Sequence, residues 1–224
     1  MNPEKKICFI TCVSDERVYQ ECLLYINQLD VPEGFVVSTL AIRDAPSMAA
    51  GYNEGLRRSD AKYKIYLHQD VFVIRKDFLL DLIGLFEKYP HVGLLGLCGA
   101  KTLPENGVWW ESDDSFGQTI ESSTRIMKPL VFSEVVDDYE SVTTLDGLLL
   151  ATQTDIPWRS DLFDGFHFYD VSQSFEFIKH GFEVGVMKQL SPYVLHHCGF
   201  KVDWAVSYYP YRDIFVKEYL SGAD

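Results

Sequence analysis

The first hundred residues constrain this chain most, because short apolar runs alternate there with segments of helical spacing. Lys5 to Cys12 (KKICFITC) reads as a strand. From Asp15 to Leu29, apolar Val18, Cys22, Tyr25, Ile26 and Leu29 recur at helical spacing, with Ser14 or Asp15 as the cap. Val31-Pro32-Glu33-Gly34 breaks the chain, and Phe35 to Ile42 reads as a second strand. A helix over Ser47–Arg58, a strand over Tyr63–Asp70, a helix from about Lys76 to Tyr89, a stop at Pro90 and a strand over Val92–Cys98 complete the series. This order is the signature of right-handed βαβ units around a mainly parallel sheet, so the expected class is α/β.

After Gly99 the regularity lapses. Lys101 to Asp138 carries Pro104, Gly107, Trp109-Trp110, Asp113-Asp114, Gly117 and Pro129 with no sustained period, and reads as either a functional excursion or a poorly ordered one. A strand over Val142–Thr152, a turn region at Pro157 and Gly165, and a helix from about Phe168 to His180 closed by Gly181 follow. Glu183–Met187 and Tyr193–His197 read as strands, and Trp204–Leu220 as a helix packing back on the domain. The expected organisation is one domain over 1–224: about 1–100 as one half, about 101–199 as the other, and 200–224 as a C-terminal segment.

Bulk properties narrow the function. The formal net charge is −13 and no more than two Lys or Arg are adjacent, which argues against a nucleic-acid backbone or an anionic membrane as partner. An anionic phosphate ligand would meet an opposing field, so a local cation such as a bound metal would be needed. The start shows no signal-peptide pattern and no apolar stretch approaches the length of a membrane span. The five cysteines include no C-x-x-C and read as reduced thiols, which fits a cytoplasmic setting.

Four groups could carry chemistry. Lys64 to Val73 (KIYLHQDVFV) is an apolar run holding His68 and Asp70 near its carboxyl end, where open α/β sheets bind ligands. It reads as a metal corner or as a strand end whose Asp caps a turn. Asp44 precedes SMAAGYNEG (Ser47–Gly55), whose small residues could admit a phosphate or base to backbone N–H groups, or could be an ordinary cap and turn. On the later helix, Phe168, Val171, Phe175 and Ile178 form the expected buried stripe, leaving Asp170 as a cleft-facing general base or a dipole-stabilised acid. His196-His197 ends an apolar run, and one of them could join Asp70 at a metal; a structural histidine is the plain alternative.

The order of these pieces, SMAAGYNEGLRRSDAKYKIYLHQDVFV, LDGLLLATQTDIPW, DGFHFYDVSQSFEFIKHGFEVGVM and HHCG, resembles GT-A-fold glycosyltransferases of the family-2 type. The likeness runs from Lys5 to Gly199 and is strongest to the small bacterial glycosyltransferase-like branch. It implies a Rossmann-like α/β/α sandwich with a mixed, mostly parallel sheet. It also implies that Asp44 contacts the nucleotide base, that Asn53 lines the nucleotide pocket, and that Asp70 is the last acid of a D-x-D metal motif. Asp146 and Gly147 would meet donor sugar or acceptor, Asp170 would be the base, and His196 or His197 a further metal ligand.

Two positions depart from the family pattern. His68 stands where the first D-x-D acid is usual; an imidazole can hold Mn²⁺ or donate to a phosphate, and it favours Mn²⁺ over Mg²⁺. Tyr169 replaces the first acid of the acidic pair. The resulting expectation is an inverting, metal-assisted transfer from a nucleotide sugar, a UDP-sugar foremost, to a glycan or glycolipid hydroxyl. Trp109 and Trp110 are candidates for stacking on acceptor sugar or for plugging the core edge. A homodimer is compatible with the sequence. Competing readings are a non-catalytic nucleotide-sugar-binding domain of the same fold and a metal-dependent phosphohydrolase.

Overall fold

The computed structural model describes residues 2–123, 125–198 and 204–221. In chain order the main elements are β1 (Lys6–Val13), α1 (Glu16–Ile26), β2 (Val36–Arg43), α2 (Met48–Arg58), β3 (Tyr63–Leu67), β4 (Val71–Val73), α3 (Phe78–Lys88), β5 (Val92–Gly96) and β6 (Cys98–Ala100). Then follow β7 (Ser115–Glu121), β8 (Lys128–Val131), β9 (Tyr139–Ser141), β10 (Thr144–Leu145), β11 (Leu149–Thr152), α4 (Tyr169–Lys179), β12 (Glu183–Met187), β13 (Val194–His196) and α5 (Tyr209–Phe215).

Seven strands form the main sheet in the order β2-β1-β3-β11-β5-β12-β9. β1 is parallel to β2 and β3, and β12 is parallel to β5. β11 runs against both β3 and β5, and β9 against β12. Five of the seven strands therefore point one way, the mixed but mostly parallel sheet expected from the sequence. Side chains alternate across β1: Ile7 and Phe9 enter one core with α1 and α3, while Cys8 and Ile10 enter another with α2 and α4. Helices thus cover both faces in three layers. Among the described residues, no helix is long and apolar enough to cross a membrane.

A smaller sheet, β10-β6-β7-β13-β4 with β8 added on β7, adjoins the first. Three of the chain's passages between the sheets run through residues 68–70, through Leu97, and through residues 146–148. These passages correct three continuous strands expected from the sequence, Tyr63–Asp70, Val92–Cys98 and Val142–Thr152. At the first passage a turn closes as Val71 N–H donates to the His68 carbonyl at 3.2 Å. At the third, the Asp146 carboxylate accepts from Leu148 N–H at 2.8 Å. An apolar run resumes on the far side of each change of sheet because the strands there are buried too, so periodicity alone does not show the break.

The excursion after Gly99 is also more regular than its sequence. β7 buries Ser115, Gly117 and Thr119 on one face, a period-2 pattern without hydrophobic contrast. β8 contains Pro129, a residue tolerated at a sheet edge. The expected stripe on α4 needs correction too. Ile178 is 40% exposed, while Ser172, Gln173 and Ser174 are buried. Hydrogen bonds meet part of that burial: Gln173 Nε2 donates to the Ile156 carbonyl at 2.8 Å, and Ser174 Oγ to the Asp170 carbonyl at 3.1 Å. The C-terminal helical stretch, Trp204 through Leu220, packs back as expected, burying Tyr208 and Phe215 against Phe168 and Val171.

Candidate active site

A cleft opens along the seam between the two sheets and holds two compartments. The first, about 380 Å³, is bounded by Cys12 to Ser14, Asp44, Met48 and the His68–Asp70 turn. The second, about 320 Å³, is bounded by Trp109, Trp110, Asp146, Asp170, His196 and Tyr208 among others. His68, Asp70 and Phe166 line both. Among the described residues no Lys or Arg lines either compartment.

The shared wall is fixed by pairing. His196 lies opposite Val71 in the antiparallel β13–β4 ladder, which sets it beside Asp70 with Nε2 3.6 Å from Oδ1. His68 completes the group: one ligand atom from each of His68, Asp70 and His196 lies within 4.8 Å of the others. Two imidazoles and a carboxylate form a donor set suited to Mn²⁺ more than to Mg²⁺, which prefers all-oxygen shells. The residues therefore fit the divalent metal that the sequence implies. His197 does not join them. As the next residue along the chain it falls on the other side, is exposed, and contributes only its backbone N–H, donated to the Asp70 carbonyl at 2.8 Å.

Electrostatics keep this group polarised. Burial pushes the His68 imidazole below its ordinary pKa, against the pull of Asp70. Burial also opposes protonation of His196, but hydrogen bonding and charge from Asp70 outweigh it and raise that imidazole. Asp70 goes the other way. Burial favours its neutral form, yet His196 and His68 hold it below the usual carboxylate range. A metal would take over the role His196 plays here.

Asp170 is the second residue of α4, reached through Phe168 in a left-handed conformation (φ 60°) that a bulky side chain rarely adopts. Its Oδ2 accepts from Gly147 N–H at 2.8 Å. Burial, reinforced by the neighbouring Asp146 charge, pushes its carboxyl up to about 7. Gly147 is shaped by this neighbourhood, since a Cβ there would stand 2.2 Å from the Tyr169 hydroxyl and 3.0 Å from Asp170 Cβ. Tyr169 Oη in turn makes a short hydrogen bond with His68 Nε2.

Other expectations divide. Asp44 lines the first compartment, exposed and with φ 56°. Asn53 lines neither compartment, which corrects its expected place in the nucleotide pocket. Its amide instead clamps Trp158, donating to that carbonyl at 2.8 Å and accepting from that N–H at 2.9 Å. The small residues of α2 are likewise structural: a Cβ at Gly51 would lie 2.4 Å from Cys12 Sγ, and one at Gly55 2.3 Å from Ile10 Cγ2. They let α2 settle onto β1. The helix start is already spoken for, with Ala50 N–H donating to Ser47 Oγ at 3.1 Å and Met48 N–H to the Gly165 carbonyl at 3.0 Å. Trp109 is buried beside Phe132, whereas Trp110 is 41% exposed and faces the Tyr208 ring at 5.4 Å.

Sequence reasoning passed over Gln69, His167 and Tyr208. Gln69 Oε1 accepts from Ser14 N–H at 2.8 Å and Asp15 N–H at 2.9 Å, tying the end of β1 to the His68–Asp70 turn. The H-Q-D spacing could have flagged it; nothing in the sequence ties His167 or Tyr208 to the cleft. His167 lies against Tyr208, ring centroids 5.3 Å apart, and burial lowers its pKa.

No curated protein matches the chain. Solved structures share its fold at low identity. TarS 1–349 from S. aureus in complex with UDP-GlcNAc is 12% identical with a TM-score of 0.57, over 91% of this chain and 61% of that one. GalNAc-T7 with UDP, GalNAc and Mn²⁺ is 8% identical with a TM-score of 0.59, over 88% and 44%. The mannosyltransferase PcManGT from Pyrobaculum calidifontis in complex with GDP-Man and Mn²⁺ is 11% identical with a TM-score of 0.52, over 87% and 56%. The chain thus spans less than two thirds of each, and only 37% of the longer S. aureus TarS chain. Residues 8–219, nearly the whole chain, match the model of the Glycosyltransferase like family. With a GT-A architecture and a cleft on the seam of its two sheets, the chain belongs to that glycosyltransferase-like family.

Proposed function

We propose that this protein transfers a sugar, with inversion, from a nucleoside diphosphate sugar to a hydroxyl of an uncharged glycan or glycolipid. The observation that carries this reading is Asp170: a carboxylate pushed up to about 7 in a compartment that shares His68 and Asp70 with its neighbour. Such a group accepts a proton near neutral pH, where general bases work best. The first compartment, with Asp44 at its rim, takes the nucleotide; a uridine base is the expected occupant. Asp146 and Gly147 lie beside Asp170, where donor sugar and acceptor meet.

In the reaction the acceptor oxygen attacks the anomeric carbon while its proton passes to Asp170. The bond from that carbon to the phosphate oxygen breaks, and its electron pair leaves with the nucleoside diphosphate. Mn²⁺ or Mg²⁺, held by His68, Asp70 and His196, would neutralise charge on the diphosphate as it departs. That help is needed because no Lys or Arg lines the cleft among the described residues. The same lack of cations, beside the three carboxylates of the second compartment, Asp70, Asp146 and Asp170, disfavours a phosphorylated or otherwise anionic acceptor. Trp110, half exposed beside Tyr208, offers an aromatic face to an acceptor ring.

Thermal shift against nucleoside diphosphates, with Mn²⁺ or with EDTA, tests the donor half; the midpoint should rise with UDP only when Mn²⁺ is present. Nucleotide release from UDP-sugars, with and without neutral glycosides, tests the rest and should require acceptor. UDP binding indifferent to EDTA counts against the metal. Release in water alone points to a hydrolase, and binding without turnover on any acceptor points to a binding domain.

A further inference from the structure

The two departures from the family pattern, His68 and Tyr169, are 101 residues apart in sequence and touch in space. The contact joins His68 Nε2 to Tyr169 Oη in the wall between the compartments. The tyrosine hydroxyl has a second neighbour, the buried Gly147 carbonyl at 3.4 Å. A carbonyl only accepts, so the proton it receives is the tyrosine's. Tyr169 then meets His68 with an oxygen lone pair, and His68 supplies the N–H. The reverse orientation would spend the tyrosine proton on His68 and leave the Gly147 carbonyl without it, an arrangement that buried polar groups avoid. Gly147 makes the contact possible, since any Cβ would occupy the hydroxyl's place.

We propose that Tyr169 is a positioning residue that holds neutral His68 with its proton on Nε2, leaving Nδ1 as the lone-pair nitrogen offered to a divalent metal. Tyrosine and histidine thereby form one unit, in which an outer partner fixes the tautomer and ring orientation of a ligand. Neither departure stands alone: the imidazole that replaces an acid needs the hydroxyl that replaces the other. The ligand part of this inference rests on the metal reading above, whereas the tautomer does not.

The test uses the full chain labelled with ¹⁵N-histidine, and long-range ¹H–¹⁵N correlation spectra without metal. The His68 signals, identified by their loss in His68→Gln, should show a protonated Nε2 and a bare Nδ1. In Tyr169→Phe the same signals should shift toward a mixture of tautomers, and Mn²⁺ affinity read by electron paramagnetic resonance should weaken roughly 10–100-fold, the usual effect of losing an outer partner. Unchanged far-ultraviolet circular dichroism separates this from unfolding. A wild-type spectrum with the proton on Nδ1 overturns the proposal outright, whether or not Tyr169→Phe folds. Equal Mn²⁺ affinity in wild type and Tyr169→Phe overturns its ligand part. Wild-type protein that shows the Nε2 proton but binds no Mn²⁺ supports the Tyr169–His68 pairing and sinks the metal reading instead.

Discussion

The two compartments of the cleft share a wall but are assembled differently. The first takes all its lining from residues 12–70 apart from Phe166. The second gathers Trp109 and Trp110, Asp146 and Gly147, the stretch 166–171, His196, Cys198 and Tyr208. One is the rim of consecutive βαβ units and needs little beyond them. The other exists only when segments distant in sequence have packed, with a third core of Trp109, Phe163, Phe168, Tyr208 and Phe215 behind it. The proposed donor pocket is thus a property of local folding and the proposed acceptor pocket a property of the whole domain.

Substitutions can sharpen or break that contrast. The largest effect is expected on the acceptor side: Asp170→Asn should lower turnover by about 10²–10⁴, as loss of a general base does. UDP affinity, measured by titration calorimetry, should stay within error. Full activity in this variant would remove Asp170 as the base. Trp109→Ala should cost about 3–5 kcal/mol of stability in denaturant unfolding, as a buried Trp→Ala truncation does. Asp70→Ala acts on the shared wall, and Mn²⁺-dependent UDP affinity should drop by about 100-fold, the upper end of the loss seen for an outer partner alone. If acceptor KM moves instead, the wall is not shared as proposed.

The fourth effect is one of pH. The Asp170 carboxyl sits at about 7 in the folded protein against 3.8 for an ordinary Asp. Between those values the folded state keeps a proton that the unfolded chain releases, so stability falls as pH rises from about 4 to 7. Asp170→Asn removes this penalty and should raise stability at pH 8 relative to wild type by roughly 1–4 kcal/mol, with little difference at pH 4. Catalysis should move oppositely, with the wild-type rate of the proposed transfer rising through pH 7 as Asp170 ionises. Trp110→Ala should give the smallest change, about fivefold in acceptor KM or ~1 kcal/mol, with donor KM unmoved. A large loss of stability in that variant would make Trp110 a core residue like its neighbour.

The same contrast explains what the sequence discloses. Apart from the break between β3 and β4, the strands and helices up to α3 follow from apolar runs and helical spacing, with side-chain caps at Asp15 and Ser47 for α1 and α2. Asp70, Asp170 and His196 are visible through motif order. His197 differs from His196 only by strand alternation, which needs the β13–β4 register to resolve. Asn53 is misleading since an amide reads alike whether it meets a ligand or, as here, a backbone 105 residues away. β7 is silent because Ser, Gly and Thr fill its inner face. The Tyr169–His68 contact depends on the main sheet and α4 both being in place, and no spacing encodes it.

Tyr208 and Phe215 belong to the final helical stretch, yet they complete the wall and core behind Trp110 and Phe168. During synthesis the βαβ units can form while that stretch is still unmade. The pocket around Asp170 cannot close until translation has passed Phe215. A growing chain therefore holds nearly all the residues of the proposed nucleotide rim well before those of the proposed acceptor chamber.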